Sequence, residues 1–225
     1  VSDELAGELT TEQVFNNAAM TRRWHRYIYT GVPDMSFICI NSGYGAVDGT
    51  GNPWPTVSDE LKSAQNNVKN IPVTGYNASN ATLTRWHLYK QIRQANLFMD
   101  EAHVIPPSGD TDYIDQSELN QLMAEARFFR AYYHYLLFEL YGPIPIMTEI
   151  ADPSSPDLDY ERNSVDEVVS FLDQELEEVA QLLNEEEPEA RRAVPTRGAA
   201  LAIRARMWVY AASPLLNGEY QEALA

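Results

Sequence analysis

The feature that most constrains the fold is a long amphipathic stretch in the middle of the chain. Asp115 and Glu118 precede it with the spacing of a capping box, and Gly142 followed by Pro143 ends it. Between these limits, apolar residues recur at spacings of three and four: Leu119, Leu122, Ala126, Phe129, Tyr133, Leu136 and Leu140. The pattern predicts one long helix, whose apolar face must be covered by other elements.

Four further segments are predicted to be helical. Thr10 and Gln13 form a capping box before a helix over residues 11–29, which Gly31 and Pro33 end. A second helical face consists of Leu83, Trp86, Tyr89, Ile92, Asn96 and Met99. A capping box at Ser164 and Glu167 precedes the stripe Val165, Val168, Leu172, Leu176, Val179 and Leu183. An alanine-rich helix over residues 196–212 allows neighbouring helices to pack closely.

These five helices, with no convincing alternation typical of strands, indicate an all-α fold. Long helices that are apolar on one side are typical of stacked helical hairpins. Asn96 is polar on an otherwise apolar face, and we expect a buried amide that bonds to neighbouring backbone. With 225 residues, 44% of them hydrophobic, the chain can form one large core.

A long irregular region, residues 35–80, interrupts the helices. Glycine and proline occur throughout it, and one short helix is expected near Ser58 and Glu60. Loops of this length inside a compact domain are uncommon and often functional. This region also contains a set of aromatic and amide side chains: Tyr44, Asn52, Trp54 and Tyr76.

These four residues are the predicted ligand-binding residues. Sugars bind to flat apolar faces supplemented by a few polar groups, and Trp and Tyr provide such faces at low entropic cost. Trp54 would be the main platform, with Asn52 as its hydrogen-bonding neighbour. The alternative is that the aromatic rings only anchor the loop. Both interpretations stay open for Trp54, whereas packing is favoured for Tyr44 and Tyr76.

The charge of the chain excludes some partners. Thirty-three acidic residues against sixteen basic ones give a formal net charge of -17. Nucleic acid is excluded because its phosphates are bound mainly by Lys and Arg. An anionic membrane surface is disfavoured for the same reason. A neutral ligand such as an uncharged sugar meets no such repulsion.

No catalytic, metal-binding or cofactor-binding motif is evident. The glycines around Gly43 and Gly49 lack the spacing and context of a dinucleotide fingerprint, and there is no P-loop. The four histidines are scattered. Asp157, Asp159 and Glu161 could hold calcium, but the full loop pattern is missing and a solvated acidic loop is favoured. Carboxylates are numerous enough for a glycosidase pair, but the sequence does not place two of them across a bond.

Several segments resemble the SusD/RagB family in the family's order. Residues 124–136 (AEARFFRAYYHYL) and 140–145 (LYGPIP) closely resemble its signature helix. The other matching segments are residues 9–15, Trp54 with 58–60, and residues 86–96, 162–168, 199–206 and 212–217. Nearly the whole chain is covered.

The resemblance implies tetratricopeptide-type stacking of the helical hairpins and a non-catalytic, glycan-binding surface lipoprotein of Bacteroidetes. Such a protein captures oligosaccharide or polysaccharide for a SusC-type TonB-dependent transporter in the outer membrane. The membrane contact would be a lipid anchor only, and its cysteine is absent from these residues. Family members are longer, so residues 1–225 are interpreted as an N-terminal part. A helical protein-interaction scaffold without glycan affinity is the alternative, and a glycosidase is a third hypothesis.

Overall fold

The computed structural model describes residues 10–33, 54, 58, 60, 84–109, 111–151, 159–186 and 193–216. The chain forms two compact units, one of residues 1–30 with 90–225 and the other of residues 31–89. The described residues contain these α-helices: α1 Thr11–Phe15, α2 Ala18–Ile28, α3 Leu88–Glu101, α4 Gln116–Tyr141, α5 Val165–Leu182 and α6 Arg197–Ala211. Across these ranges there is no strand beyond an isolated antiparallel bridge of Ile105 with Ile114. The fold is all-α, as predicted.

The predicted N-terminal helix is interrupted after Phe15. Asn16 ends α1, and Asn17 adopts an extended conformation as the N-cap of α2. The Asn17 side-chain oxygen accepts a hydrogen bond from the Met20 amide at 3.0 Å. The prediction of one continuous helix was wrong because an asparagine side chain can satisfy a backbone amide and so begin a new helix.

Replacing Asn17 with alanine is expected to lower the free energy of unfolding by about 1 kcal/mol, because the cap of α2 is lost. Asn17→Gly is the matched control, with an expected loss of only a few tenths of a kcal/mol, since glycine leaves the first-turn amides accessible to water. Urea unfolding followed by circular dichroism measures both. Equal losses in the two variants would contradict the capping role.

Helix α3 begins later than its pattern predicted and buries only part of the predicted stripe. It starts at Leu88, and Trp86 lies before it with 41% of its surface exposed. The buried apolar face consists of Leu88, Ile92, Ala95 and Phe98. Ile92 and Asn96 of the predicted stripe are buried as expected. Tyr89 and Met99 are half-buried, and the prediction was wrong at Trp86, a large aromatic residue before the helix start.

The central helix α4 agrees with its prediction at both ends. The Asp115 side chain accepts a hydrogen bond from the Glu118 amide at 2.8 Å, and Gly142 has a positive φ of 67°. The predicted capping box is one-sided, since the Glu118 carboxylate binds the Arg22 guanidinium on α2 at 2.5 and 2.8 Å. A charged partner thus replaces the weaker bond to the cap amide.

Helix α5 begins where its predicted cap places it, and α6 begins at Arg197, within one residue of its predicted start. Ser164 and Glu167 form a complete capping box, and Thr196 caps α6. The buried side of α6 includes Ala200 and Met207. Its outer side is unusually apolar for exposed surface, with Leu201 43%, Trp208 49% and Val209 76% exposed.

Neighbouring helices run antiparallel in three pairs. Within each pair, residues later in one helix contact residues earlier in the other. The contacts are Trp24 with Gln94 and Thr30, just after α2, with Gln91 for α2 and α3, Arg127 with Glu175 and His134 with Phe171 for α4 and α5, and Arg197 with Ala180 and Arg204 with Asp173 for α5 and α6. The pairs agree with stacked helical hairpins. Their tetratricopeptide type stays a prediction.

No described helix has the length and apolarity to cross a bilayer.

An ion-pair cluster joins α4 to α5 beside the core. Glu175 is 9% exposed and accepts hydrogen bonds from Arg127 at 2.7 and 3.2 Å and from Arg130 at 2.7 Å. Arg127 also pairs with the more exposed Glu178 at 2.5 Å. Burial opposes ionisation of Glu175, but the bonds from Arg127 and Arg130 hold its pKa below the ordinary value. Glu175 is thus the shared anion of the cluster.

The segment after α4 is held by buried polar side chains. Asn96 is 4% exposed, and its amide group donates to the carbonyls of Met147 at 3.1 Å and Glu149 at 3.2 Å. This confirms the predicted backbone-binding role. His134 is fully buried; one ring nitrogen lies 2.7 Å from the Arg130 carbonyl and the other accepts from the Met147 amide at 3.0 Å. Both ring nitrogens are therefore used in the neutral imidazole.

Candidate functional site

Of the four predicted ligand-binding residues, the structure describes Trp54, which lies in the unit formed by residues 31–89. Trp54 is helical and half-buried, and its carbonyl accepts a hydrogen bond from the Ser58 amide at 3.0 Å. Asn52, Tyr44 and Tyr76 lie outside the described residues, as does most of the predicted loop. Ser58 and Glu60 are bends, so at these two positions the expected short helix is not found.

One face of the Trp54 indole is occupied. The guanidinium carbon of Arg85 lies 5.9 Å from the centre of the ring, within the range of a cation–π contact. Arg85 is buried, with only 3% of its surface exposed. This contact restricts the orientation of the ring, so at most the opposite face is available to a ligand. Anchoring and binding are thus compatible at Trp54.

A second aromatic group follows directly after Arg85. The rings of Trp86 and Tyr89 lie nearly parallel, with an interplanar angle of 11° and centroids 6.1 Å apart. Trp86 is exposed and Tyr89 is half-buried. The exposed Trp86 ring, backed by Tyr89, is the kind of flat apolar group that packs against the C–H face of a sugar ring.

Sequence reasoning missed this pair because it assigned both residues to the core. Their spacing of three is the same for a buried helical stripe and for an exposed stacked pair. The usable signal was their position, since a tryptophan before the first helical turn has fewer helix neighbours to cover it. The predicted platform and the missed pair are connected through the chain: Arg85 contacts the Trp54 ring, and Trp86 is the next residue.

The described residues offer little for metal chemistry. Within the described ranges, no group of three or more His, Cys, Asp or Glu side chains lies close enough to hold a metal ion. Asp157, one of the three acidic residues considered for calcium, lies outside the described residues. Asp159 and Glu161 are exposed.

Comparison with known proteins identifies the relatives of this chain. The family model described as "Starch-binding associating with outer membrane" matches residues 51–209. These residues include Trp54, Arg85, Trp86 and Tyr89. No curated protein sequence matches the chain.

Solved structures of SusD-like proteins share the fold. A SusD-like carbohydrate-binding protein from Bacteroides fragilis matches with a TM-score of 0.66 and 20% identity, over 86% of this chain and 37% of its own. A laminarin-binding SusD-like protein matches with a TM-score of 0.66 and 18% identity, over 92% of this chain and 42% of its own. Surface glycan-binding protein A from Bacteroides thetaiotaomicron, in complex with laminarihexaose, matches with a TM-score of 0.60 and 15% identity, over 85% and 38%.

The chain spans about two fifths of the length of these relatives. At such identities the structures establish a common fold only. The family model matches residues 51–209 and so covers well over half of the chain. The protein therefore belongs to the SusD-like family.

Proposed function

We propose that the protein is a non-catalytic, glycan-binding surface lipoprotein. Its role would be to capture an oligosaccharide or polysaccharide on aromatic platforms, and the residues concerned would be Trp54, with Asn52, Tyr44 and Tyr76, and the Trp86–Tyr89 pair. The observation that carries the proposal is the family match over residues 51–209, a range that contains the described aromatic platforms. Two structural relatives that bind laminarin or laminarihexaose support the same ligand class.

The captured glycan would pass to a SusC-type TonB-dependent transporter in the outer membrane. The family description, which associates its members with the outer membrane, supports this location. Membrane attachment would be through a lipid anchor. The net charge of -17 supports a neutral glycan over an anionic ligand.

Affinity electrophoresis tests glycan capture. The protein is run through native gels that contain laminarin, starch or one of a panel of plant, host and microbial polysaccharides, with serum albumin as the non-binding reference. Retardation by one polysaccharide is the expected result. Migration unchanged by every polysaccharide would overturn the proposal. Release of reducing ends from a retarding polysaccharide would overturn its non-catalytic part.

The same gel tests the platform. Trp54→Ala is expected to weaken binding by about tenfold, since one buried aromatic contact contributes roughly 1 kcal/mol or more. Trp208→Ala is the matched control, because it removes a tryptophan from α6, in the other unit, and is expected to leave retardation unchanged. Circular dichroism confirms equal helical content. Undiminished binding by Trp54→Ala would remove this residue from the site.

One observation favours a second function, the protein-interaction scaffold. The exposed apolar side of α6, with Leu201, Trp208 and Val209, is typical of surfaces that pack against protein. Co-purification of the transporter with a protein that no polysaccharide retards would favour the scaffold. Equal retardation of the Trp208→Ala variant and the unchanged protein would favour glycan capture.

A further inference from the structure

A polar cavity lies in the helical unit, formed by residues of α3, α4 and the segment after α4. Its volume is about 320 Å³, within the range of pockets that hold small ligands. Asn96 and Asp100 of α3, Arg130 of α4 and Glu149 provide polar walls, and Met99 and Ile150 provide apolar ones. These residues do not belong to the aromatic site around Trp54.

The cavity is formed before any ligand binds. One wall, at Glu149, is fixed because the Asn96 amide group donates to the carbonyls of Met147 and Glu149. The buried ring of His134 holds the Met147 amide from α4 at 3.0 Å. A ligand therefore need not order this segment, and the entropic cost of binding is reduced.

Several polar groups of the cavity have hydrogen-bonding capacity left. The exposed carboxylates of Asp100 and Glu149 make no hydrogen bond or ion pair with any described residue. The Nη2 of Arg130 is committed to Glu175 at 2.7 Å. Its Nη1 makes only long contacts, 3.3 Å to Asn96 and 3.4 Å to the Thr148 carbonyl. The two carboxylates and the Nη1 of Arg130 can therefore still form hydrogen bonds with a ligand in this cavity.

This combination selects the class of ligand. The two carboxylates repel an anion, and within the described ranges no group of three His, Cys, Asp or Glu side chains is present to hold a metal ion. A hydroxyl group can donate to a carboxylate and accept from a guanidinium at once. We propose that this cavity binds one neutral hexose unit, as a second sugar site apart from Trp54. The choice of a sugar among neutral polyols rests on the proposed function.

A nuclear magnetic resonance titration tests the second site. The ¹⁵N-labelled protein is titrated separately with D-glucose, D-galactose and D-mannose. For at least one hexose we expect saturable shifts of the Asn96 side-chain amide and the Thr148 and Glu149 backbone amides, with a Kd on the order of millimolar for so small a ligand. Absence of such shifts with all three hexoses would overturn the inference.

Two conservative variants locate the binding. Asp100→Asn and Glu149→Gln are each expected to weaken hexose binding by about threefold to tenfold, because a neutral amide oxygen accepts a weaker hydrogen bond than a carboxylate does. Both side chains are exposed and make no bond to a described residue, so the fold should be retained. Glu101→Gln is the matched control, because Glu101 is an exposed acid on α3 outside the cavity, and its affinity should equal that of the unchanged protein.

The outcomes separate this inference from the proposed function. Polysaccharide retardation without hexose shifts at the cavity would overturn the second site and leave glycan capture standing. Hexose shifts at the cavity without any polysaccharide retardation would support the second site and oppose capture of long glycans. Shifts at these amides caused by calcium chloride or inorganic phosphate, and by no hexose, would contradict the assigned ligand class.

Discussion

Replacing Glu175 with glutamine is expected to destabilise the protein by about 3 kcal/mol, because it leaves two partly buried arginines without their shared anion. Arg127 and Arg130 both bind this carboxylate at 2.7 Å, and Glu175 is 9% exposed. Glutamine keeps the size of the side chain and removes only its charge. Guanidinium chloride unfolding at neutral pH measures the loss.

Glu178→Gln is the matched control for this prediction. Glu178 binds the same Arg127 at 2.5 Å, but its side chain is 45% exposed. Surface ion pairs contribute little, so the unfolding free energy of this variant should stay nearly unchanged. Similar losses in the two variants would show that burial does not decide the strength of the cluster.

The second large effect is a loss of stability in mild acid through His134. Burial lowers the pKa of this imidazole from its ordinary value of 6.5 to about 4, since the core disfavours the charged form of the ring. The unfolded chain therefore takes up a proton below pH 6.5 that the folded chain takes up only near pH 4. This contribution to stability is complete above pH 6.5, falls as the pH falls to 4, and changes no further below that.

From pH 7 to pH 5 we expect His134 to account for a loss of about 2 kcal/mol in the free energy of unfolding. His134→Gln is the reference, because glutamine does not titrate and its oxygen can still accept from the Met147 amide. Carboxylates with lowered pKa values, such as Glu175, contribute alike in both proteins. The unchanged protein should lose about 2 kcal/mol more than the variant. Equal losses would contradict the assignment to His134.

The helices were largely predictable from the sequence because their boundaries depend on local chemistry. The caps at Thr10, Asp115, Ser164 and Thr196 act within one turn, and so does the positive φ of Gly142. Such signals need no knowledge of distant residues. Two local predictions were wrong: the complete capping box at Asp115, because the distant Arg22 binds Glu118, and the continuous N-terminal helix, which Asn17 interrupts.

The candidate site was less predictable, since exposure is decided by the assembled fold. Trp86 has the helical spacing of a core residue, and only the late start of α3 leaves it outside. The cavity beside Arg130 depends on α3 and on a segment that follows α4 by several residues. No spacing in the sequence indicates that Asp100 and Glu149 line the same cavity.

The bond between His134 and the Met147 amide also changes where the stable part of the molecule ends. Residues after a helix usually open by themselves, and their amide hydrogens exchange quickly with solvent. Here the Met147 amide donates to a buried ring of α4, so its hydrogen can exchange only when the segment detaches from that helix. We therefore expect slow amide exchange to continue beyond Tyr141, through the turn at Gly142, into a stretch with no regular structure.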